Sequence, residues 1–264
     1  MLRGRMRRAL ATVFAGLTVA NVVGVPLGTW IGAQSWRTTF LAVGALSALV
    51  AVLLAVGVPK VERPRAASLG VRLGLLGRPE ISWALAFTFF VMLGAWLVFT
   101  FVSPMLQAVT HVGAAAVSMF LVCAGIGGVV GTYAGGQLTD RWGVFPTLIL
   151  GGSLLVVVLL AFHGMLASVA GAAFGVALWW VGGTMTGPAQ QHRLIGLAPE
   201  APALALSLNS SAIYFGAGAG SALGSLLVRA AGLTALAPVG AACALLALGT
   251  LLVGVRVPRR QPAE

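Results

Sequence analysis

Residues 81–106 read ISWALAFTFFVMLGAWLVFTFVSPML, 26 positions without an Asp, Glu, Lys or Arg. A helix rises 1.5 Å per residue, so a run of this length exceeds a hydrocarbon core of roughly 30 Å. Lipid offers backbone N–H and C=O groups no partners, and a helix satisfies them from within. The segment therefore reads as a membrane-spanning helix. Working outward with a window of about 19 residues gives seven more spans, at 10–31, 39–58, 114–135, 145–162, 167–187, 203–228 and 235–255. The fold class expected is all-α, with eight transmembrane helices.

Composition agrees with that reading. Of 264 residues, 59% are hydrophobic and 8% charged, where a soluble domain needs about 25% charged residues to cover its core. A soluble fold is excluded. The net charge of +11 does not point to nucleic acid, because the basic residues lie between apolar spans instead of clustering on one surface. With the N-terminus cytoplasmic, the inner segments hold Arg3, Arg5, Arg7, Arg8, Lys60, Arg63, Arg65, Arg72, Arg78, Arg141, Arg193, Arg256, Arg259 and Arg260, which is 14 of the 16. Only Arg37 and Arg229 fall outside. That bias is the one the positive-inside rule predicts, and it places both termini in the cytoplasm. The basic start could open a secretory signal, but the apolar run at 10–31 is too long and carries no clear cleavage site.

The segment 59–80 contains Pro59, Pro64 and Pro79 with five basic residues and reads as a cytoplasmic linker, in which 69–76 is expected to form a short interfacial helix. The chain divides accordingly into two spans (1–58), the linker (59–80), six spans (81–255) and a basic tail (256–264). A repeat gives this division meaning. Displaced by 196 residues, positions 9–59 match 205–255 at 12 of 51 sites, among them Gly24 with Gly220, Gly28 with Gly224 and Gly44 with Gly240. The two opening spans thus read as the last two of a six-helix unit whose second copy is complete. Parallel six-helix repeats are a transporter architecture.

Between the fourth and fifth spans stands Gly136-Gln137-Leu138-Thr139-Asp140-Arg141-Trp142-Gly143. It resembles the G-x-L-x-D-R-x-G signature of the major facilitator superfamily, read here as a cytoplasmic turn in which Gly136 allows close helix approach and Asp140 caps the next helix. The first span, with Gly24, Pro26 and Gly28 and a following Trp36-Arg37, is similar to the antiporter motif of that superfamily's drug and sugar efflux branch, the drug:proton antiporters. The resemblance covers essentially the whole chain as helices five to twelve of a twelve-helix carrier. It implies proton-coupled efflux by alternating access around a site near the bilayer midplane, in a bacterial plasma membrane, with four helices of the first half absent from the front.

Glu62, Glu80, Asp140, Glu200 and Glu264 are all assigned to cytoplasmic segments, so the intramembrane carboxylate of a proton-coupled carrier is expected on those absent helices, or coupling is carried differently. His111, His163 and His192 read as solvated loop residues, Cys123 and Cys243 as small packing residues. Candidate pathway residues are Asn21, Gln107, Thr184, Asn209, Ser210 and Tyr214, with Trp96, Phe99, Trp179 and Trp180 as aromatic walls; helix bridging or a lipid-facing position is the competing reading for each. Such a cavity suits a neutral or lipophilic solute. The partners implied are membrane lipids, a small-molecule substrate and protons. No cofactor or metal pattern appears, and no nucleophile–base pair or phosphate loop that would mark an enzyme; the Gly-rich run 216–224 reads as a helix-packing face. The alternative to a carrier is a membrane scaffold or remnant without a completed pathway.

Overall fold

The computed structural model describes Gly24, Gly28, Ile31 and residues 35–57 and 69–256. Most of the span expected at 10–31 lies outside these residues, as do Asn21 and Pro26. The chain forms two compact units, Met1–Ala66 and Ala67–Glu264. In the first, α1 covers Trp36–Gly57. The second contains α2 (Leu69–Leu76), α3 (Pro79–Phe99), α4 (Val102–Val109), α5 (Ala114–Trp142), α6 (Val144–Met165), α7 (Val169–Leu197), α8 (Pro202–Ala231) and α9 (Leu236–Arg256), with a short 3₁₀ turn at Leu233–Ala235. Among the described residues there is no strand, and seven helices are long and apolar enough to cross a membrane.

Three spans differ from expectation at their ends. The run 81–106 is not one helix, because α3 stops at Phe99 and α4 starts at Val102. Pro104 explains the break: it has no N–H to give the Thr100 carbonyl, and its ring would collide with that carbonyl in a continuous helix. Met105 N–H bonds Phe101 O instead, at 3.0 Å. Conversely, α7 runs ten residues past Gly187 to Leu197 with Pro188 inside it. Gly187 has no Cβ to crowd the proline ring, which removes part of the usual penalty on the preceding residue. α5 likewise continues to Trp142, so Asp140 and Arg141 sit in its last turn instead of in a loop. His163 and His192 are helical too, in α6 and α7, although all three histidines are exposed as expected.

Lipid tails are as apolar as leucine, so apolar burial drives insertion but gives helices little reason to associate with one another; close van der Waals packing does that. Two glycine stripes supply it. On α5, a Cβ added at Gly127, Gly131 or Gly135 would come within 2.3, 2.3 and 2.2 Å of Ala177 O, Thr184 Oγ1 and Met185 O on α7. On α8, Gly216, Gly220 and Gly224 lie so close to α3 that a Cβ would meet the carbonyls of Phe89, Leu93 and Leu97 at 2.6, 2.3 and 2.9 Å. α3 is held on another side by α9, where Gly94 and Gly240 approach in the same way. Around these seams Phe87, Phe120, Leu155, Leu159 and Phe162 fill the core, each at most 1% exposed. A smaller cluster of Leu75, Ile81, Leu85, Leu194 and Ala205 joins α2, the start of α3, the end of α7 and the start of α8.

Candidate functional site

Polar and aromatic groups form three layers in the second unit, along the length of α3 and α7. The first layer is aromatic. Phe99, near the end of α3, has its ring centroid 5.3 Å from Trp96, 6.0 Å from Trp179 and 5.2 Å from Trp180. Trp179 turns inward onto Phe162, 5.8 Å away, and is buried, while Trp96 is 37% exposed. The Trp180 indole nitrogen is enclosed without an acceptor. Thr184, one turn along α7, shares its hydroxyl between Gly128 O at 3.1 Å and Trp180 O at 2.8 Å. It ties α5 to α7 at the glycine seam.

The second layer is a buried polar knot. Thr88 Oγ1 donates to Asn209 Oδ1 at 2.7 Å and accepts from Gln190 Nε2 at 3.0 Å, joining α3, α8 and α7. Gln190 Nε2 also donates to Ala84 O, and its Oε1 has no partner. Asn209 is therefore a bridging residue as well as a candidate pathway residue. Gln107, on α4, is exposed and bonds Ser103 on its own helix, at 3.0 Å. Tyr214 is 77% exposed on α8, and Ser210 is exposed with its hydroxyl returned to Leu206 O. The structure thus gathers Trp96, Phe99, Trp179 and Trp180 into one wall next to Thr184.

The third layer is charged and lies where α3 and α8 begin and α7 ends. Arg78 donates Nε to Glu80 Oε1 at 3.2 Å, Nη2 to Leu197 O at 2.7 Å and Nη1 to Glu200 Oε1. One guanidinium thereby fastens the start of α3 to the turn between α7 and α8. Glu80, assigned to a cytoplasmic segment, is only 4% exposed and its Oε2 has no partner. Arg193, also assigned to a loop, is buried in α7 because that helix continues past Pro188. Counting arginines as topology markers hid both roles; the pairing of Arg78 with an acid two residues along was the available signal.

At this same end α5 passes into α6 through one residue, Gly143, whose φ of 89° suits glycine alone. Asp140 does not cap α6, whose N-cap is Gly143 and which has no side-chain cap. The close approach expected at Gly136 is made by Gly135, since nothing stands within 4 Å of a Cβ at Gly136. Arg78 makes ion pairs with Glu80 and Glu200, and Asp140 and Arg141 stand exposed.

The sequence model of the Major Facilitator Superfamily matches residues 3–203. The chain belongs to this superfamily. Among curated superfamily relatives and neighbours, the inner membrane transport protein YdhP of Escherichia coli O157:H7 is 36% identical over 258 residues, covering 96% of this chain and 65% of that protein. A probable sugar efflux transporter of Mannheimia succiniciproducens is 29% identical, covering 90% of this chain and 60% of that protein. The chain therefore spans about two thirds of the length of these relatives. In fold it is similar to a bacterial homolog of the human lysosomal transporter Spinster, in an inward-facing and unoccupied conformation, with a TM-score of 0.57 at 16% identity over 97% of this chain and 73% of that one.

Within the Major Facilitator Superfamily reading, the repeat acquires structural content. Gly220, Gly224 and Gly240 all dock on α3, whereas their repeat counterparts Gly24, Gly28 and Gly44 have nothing within 4 Å of a Cβ. α1 is unburied along its apolar window.

Proposed function

We propose that the chain is the larger part of a secondary active transporter of the bacterial inner membrane that exports a small neutral or lipophilic solute, a drug or a sugar, by proton-coupled alternating access. The observation that carries this is the open glycine face at Gly24, Gly28 and Gly44, set against its packed counterpart at Gly220, Gly224 and Gly240. Glycines that lack the equivalent of α3 belong to an unfinished lobe. The relatives' greater length supplies room for the rest.

The substrate class follows from the aromatic wall. Trp96, Phe99 and Trp180 offer ring faces and edges, and the threonine beside them has its proton engaged with backbone. Such a surface binds by area and shape, and it discriminates against a fixed charge, which would lose its hydration with no countercharge to replace it. Glu80, although buried, is held by Arg78 at a helix start, so the coupling carboxylate is assigned to the four helices outside this chain. The charged layer and the Gly136–Gly143 junction lie at the end that the arginine bias places in the cytoplasm. There, making and breaking of contacts such as Arg78–Glu200 would accompany rocking of the lobe.

The test is efflux from cells carrying the 264-residue chain alone and cells carrying it fused behind the first four helices of a relative. Neutral and charged solutes of similar size are compared. Export of neutral solutes by the fusion alone, abolished by a protonophore, is the expected result. Equal export by the short chain would refute the unfinished lobe, and preferential export of charged solutes would refute the substrate class.

A further inference from the structure

Arg193 is a second buried cation, and its surroundings differ from those of Arg78. It is 7% exposed, and its Nη1 is enclosed without a hydrogen-bond partner. The guanidinium carbon lies 5.4 Å from the ring centroid of Phe145, in the first turn of α6. On the opposite side Nη2 approaches α9 so closely that a Cβ on Gly254 would come within 2.8 Å of it, and within 3.3 Å of Trp83 Cβ on α3. Arg193 therefore occupies the junction where α6 begins, α9 ends and α3 passes.

No carboxylate among the described residues neutralises it. Glu80 and Glu200 are both engaged by Arg78, and Asp140 makes no ion pair there. The start of α6 aggravates the imbalance: its N-cap is Gly143, with no side chain to accept from the first-turn amides, so the positive end of the helix dipole faces the same region as the guanidinium. The end of α9 has the helpful sign, but none of its carbonyls bonds Arg193. Removing an unpaired cation from water is costly, and one aromatic face returns only a part of that cost. A negative group is missing.

The sequence beside the site indicates where that group comes from. Arg256, Arg259 and Arg260 come shortly after Gly254 in the sequence, and a basic run next to a membrane helix concentrates anionic headgroups of the cytoplasmic leaflet. We propose that Arg193 and the uncapped start of α6 bind a phosphate group, supplied by an anionic phospholipid of the cytoplasmic leaflet; the leaflet rests on the orientation proposed above. The Arg193 guanidinium and the uncapped first-turn amides of α6 are N–H donors of the kind that hold phosphate oxygens, and Phe145, 36% exposed, forms the wall beside them.

The test purifies the full chain in mild detergent and measures retained phospholipid by native mass spectrometry, together with the shift in melting midpoint on adding phosphatidylglycerol, phosphatidylcholine or inorganic phosphate. Phosphatidylglycerol is expected to be retained and to raise the midpoint, and Arg193→Gln is expected to lower its retention about tenfold. A midpoint raised by inorganic phosphate and not by phosphatidylglycerol would keep the phosphate site and overturn the lipid source. Should Arg193→Gln fail to accumulate, Gly254→Ala displaces the guanidinium while keeping its charge, and it is expected to weaken retention severalfold. Retention unchanged in whichever variants fold would overturn the proposal. The readout is binding in detergent, so it stands whether or not the chain transports, and loss of the transport reading would leave it intact.

Discussion

Thr88 uses its one proton on Asn209 and one lone pair on Gln190, so a single hydroxyl connects three helices. Replacing it with valine keeps the shape and takes the donor from Asn209 Oδ1 and one of two acceptors from Gln190 Nε2, which keeps Ala84 O. The expected loss is about 1–2 kcal/mol, and a cycle with Gln190→Ala should return a coupling near 0.6 kcal/mol, the average for interhelical bonds in lipid. Equilibrium unfolding in mixed micelles measures both. Arg78 presents a sharper contrast, because its two acids differ in burial: Glu80 is 4% exposed, while the Glu200 side chain is 56% exposed. Arg78→Met leaves Glu80 buried without its cation and should cost about 3 kcal/mol, whereas Glu200→Gln should cost less than about 1 kcal/mol. Equal losses in the same unfolding assay would contradict the clamp. These roles were hard to read in sequence. An arginine before a span scores as a topology signal whichever way it points, and only the end of α7 at Leu197 reveals what Arg78 holds. The aromatic wall was more legible, since tryptophans away from a helix end are rare enough to single out.

Helices 3.6 residues per turn in period bring every fourth residue to one side, and the stripes Gly127-Gly131-Gly135 and Gly216-Gly220-Gly224 use that spacing to put backbone against backbone. Gly131→Val or Gly220→Val must push a carbonyl aside and should destabilise the unit by about 1–3 kcal/mol. Gly136→Ala and Gly183→Ala, where an added Cβ meets nothing within 4 Å, should be neutral or stabilising by up to about 1 kcal/mol through helix propensity. Gly143→Ala should cost about 1–2 kcal/mol although nothing crowds it, because its φ is 89°. Yield of folded protein and melting midpoint across these five variants check the series. Hydropathy alone located the seven spans among the described residues, because apolar length is what lipid selects. It misplaced ends at the prolines: Pro104 interrupts a helix that hydropathy reads as continuous, and Pro188 is accommodated where it reads as terminal. The difference lies in neighbours, a glycine before Pro188 against a serine before Pro104, together with the packing each site receives.

At the scale of the molecule the two units stand in different states of completion. The second has a core of aromatic and aliphatic side chains that reach zero exposure, closed by glycine seams on two sides of α3. The first contributes α1, whose apolar window has no buried residue. The repeat of 12 identities in 51 positions made the relation between the units visible in sequence. That Gly24, Gly28 and Gly44 are open where their counterparts are packed needed coordinates, because a glycine reads the same in either setting. The most direct measurement of this asymmetry is the insertion and thermal melting of residues 67–264 expressed without the first 66. The account predicts an inserted helical lobe whose melting midpoint lies within a few degrees of the corresponding transition in the whole chain. A segment that inserts or folds only when residues 1–66 are present would contradict it.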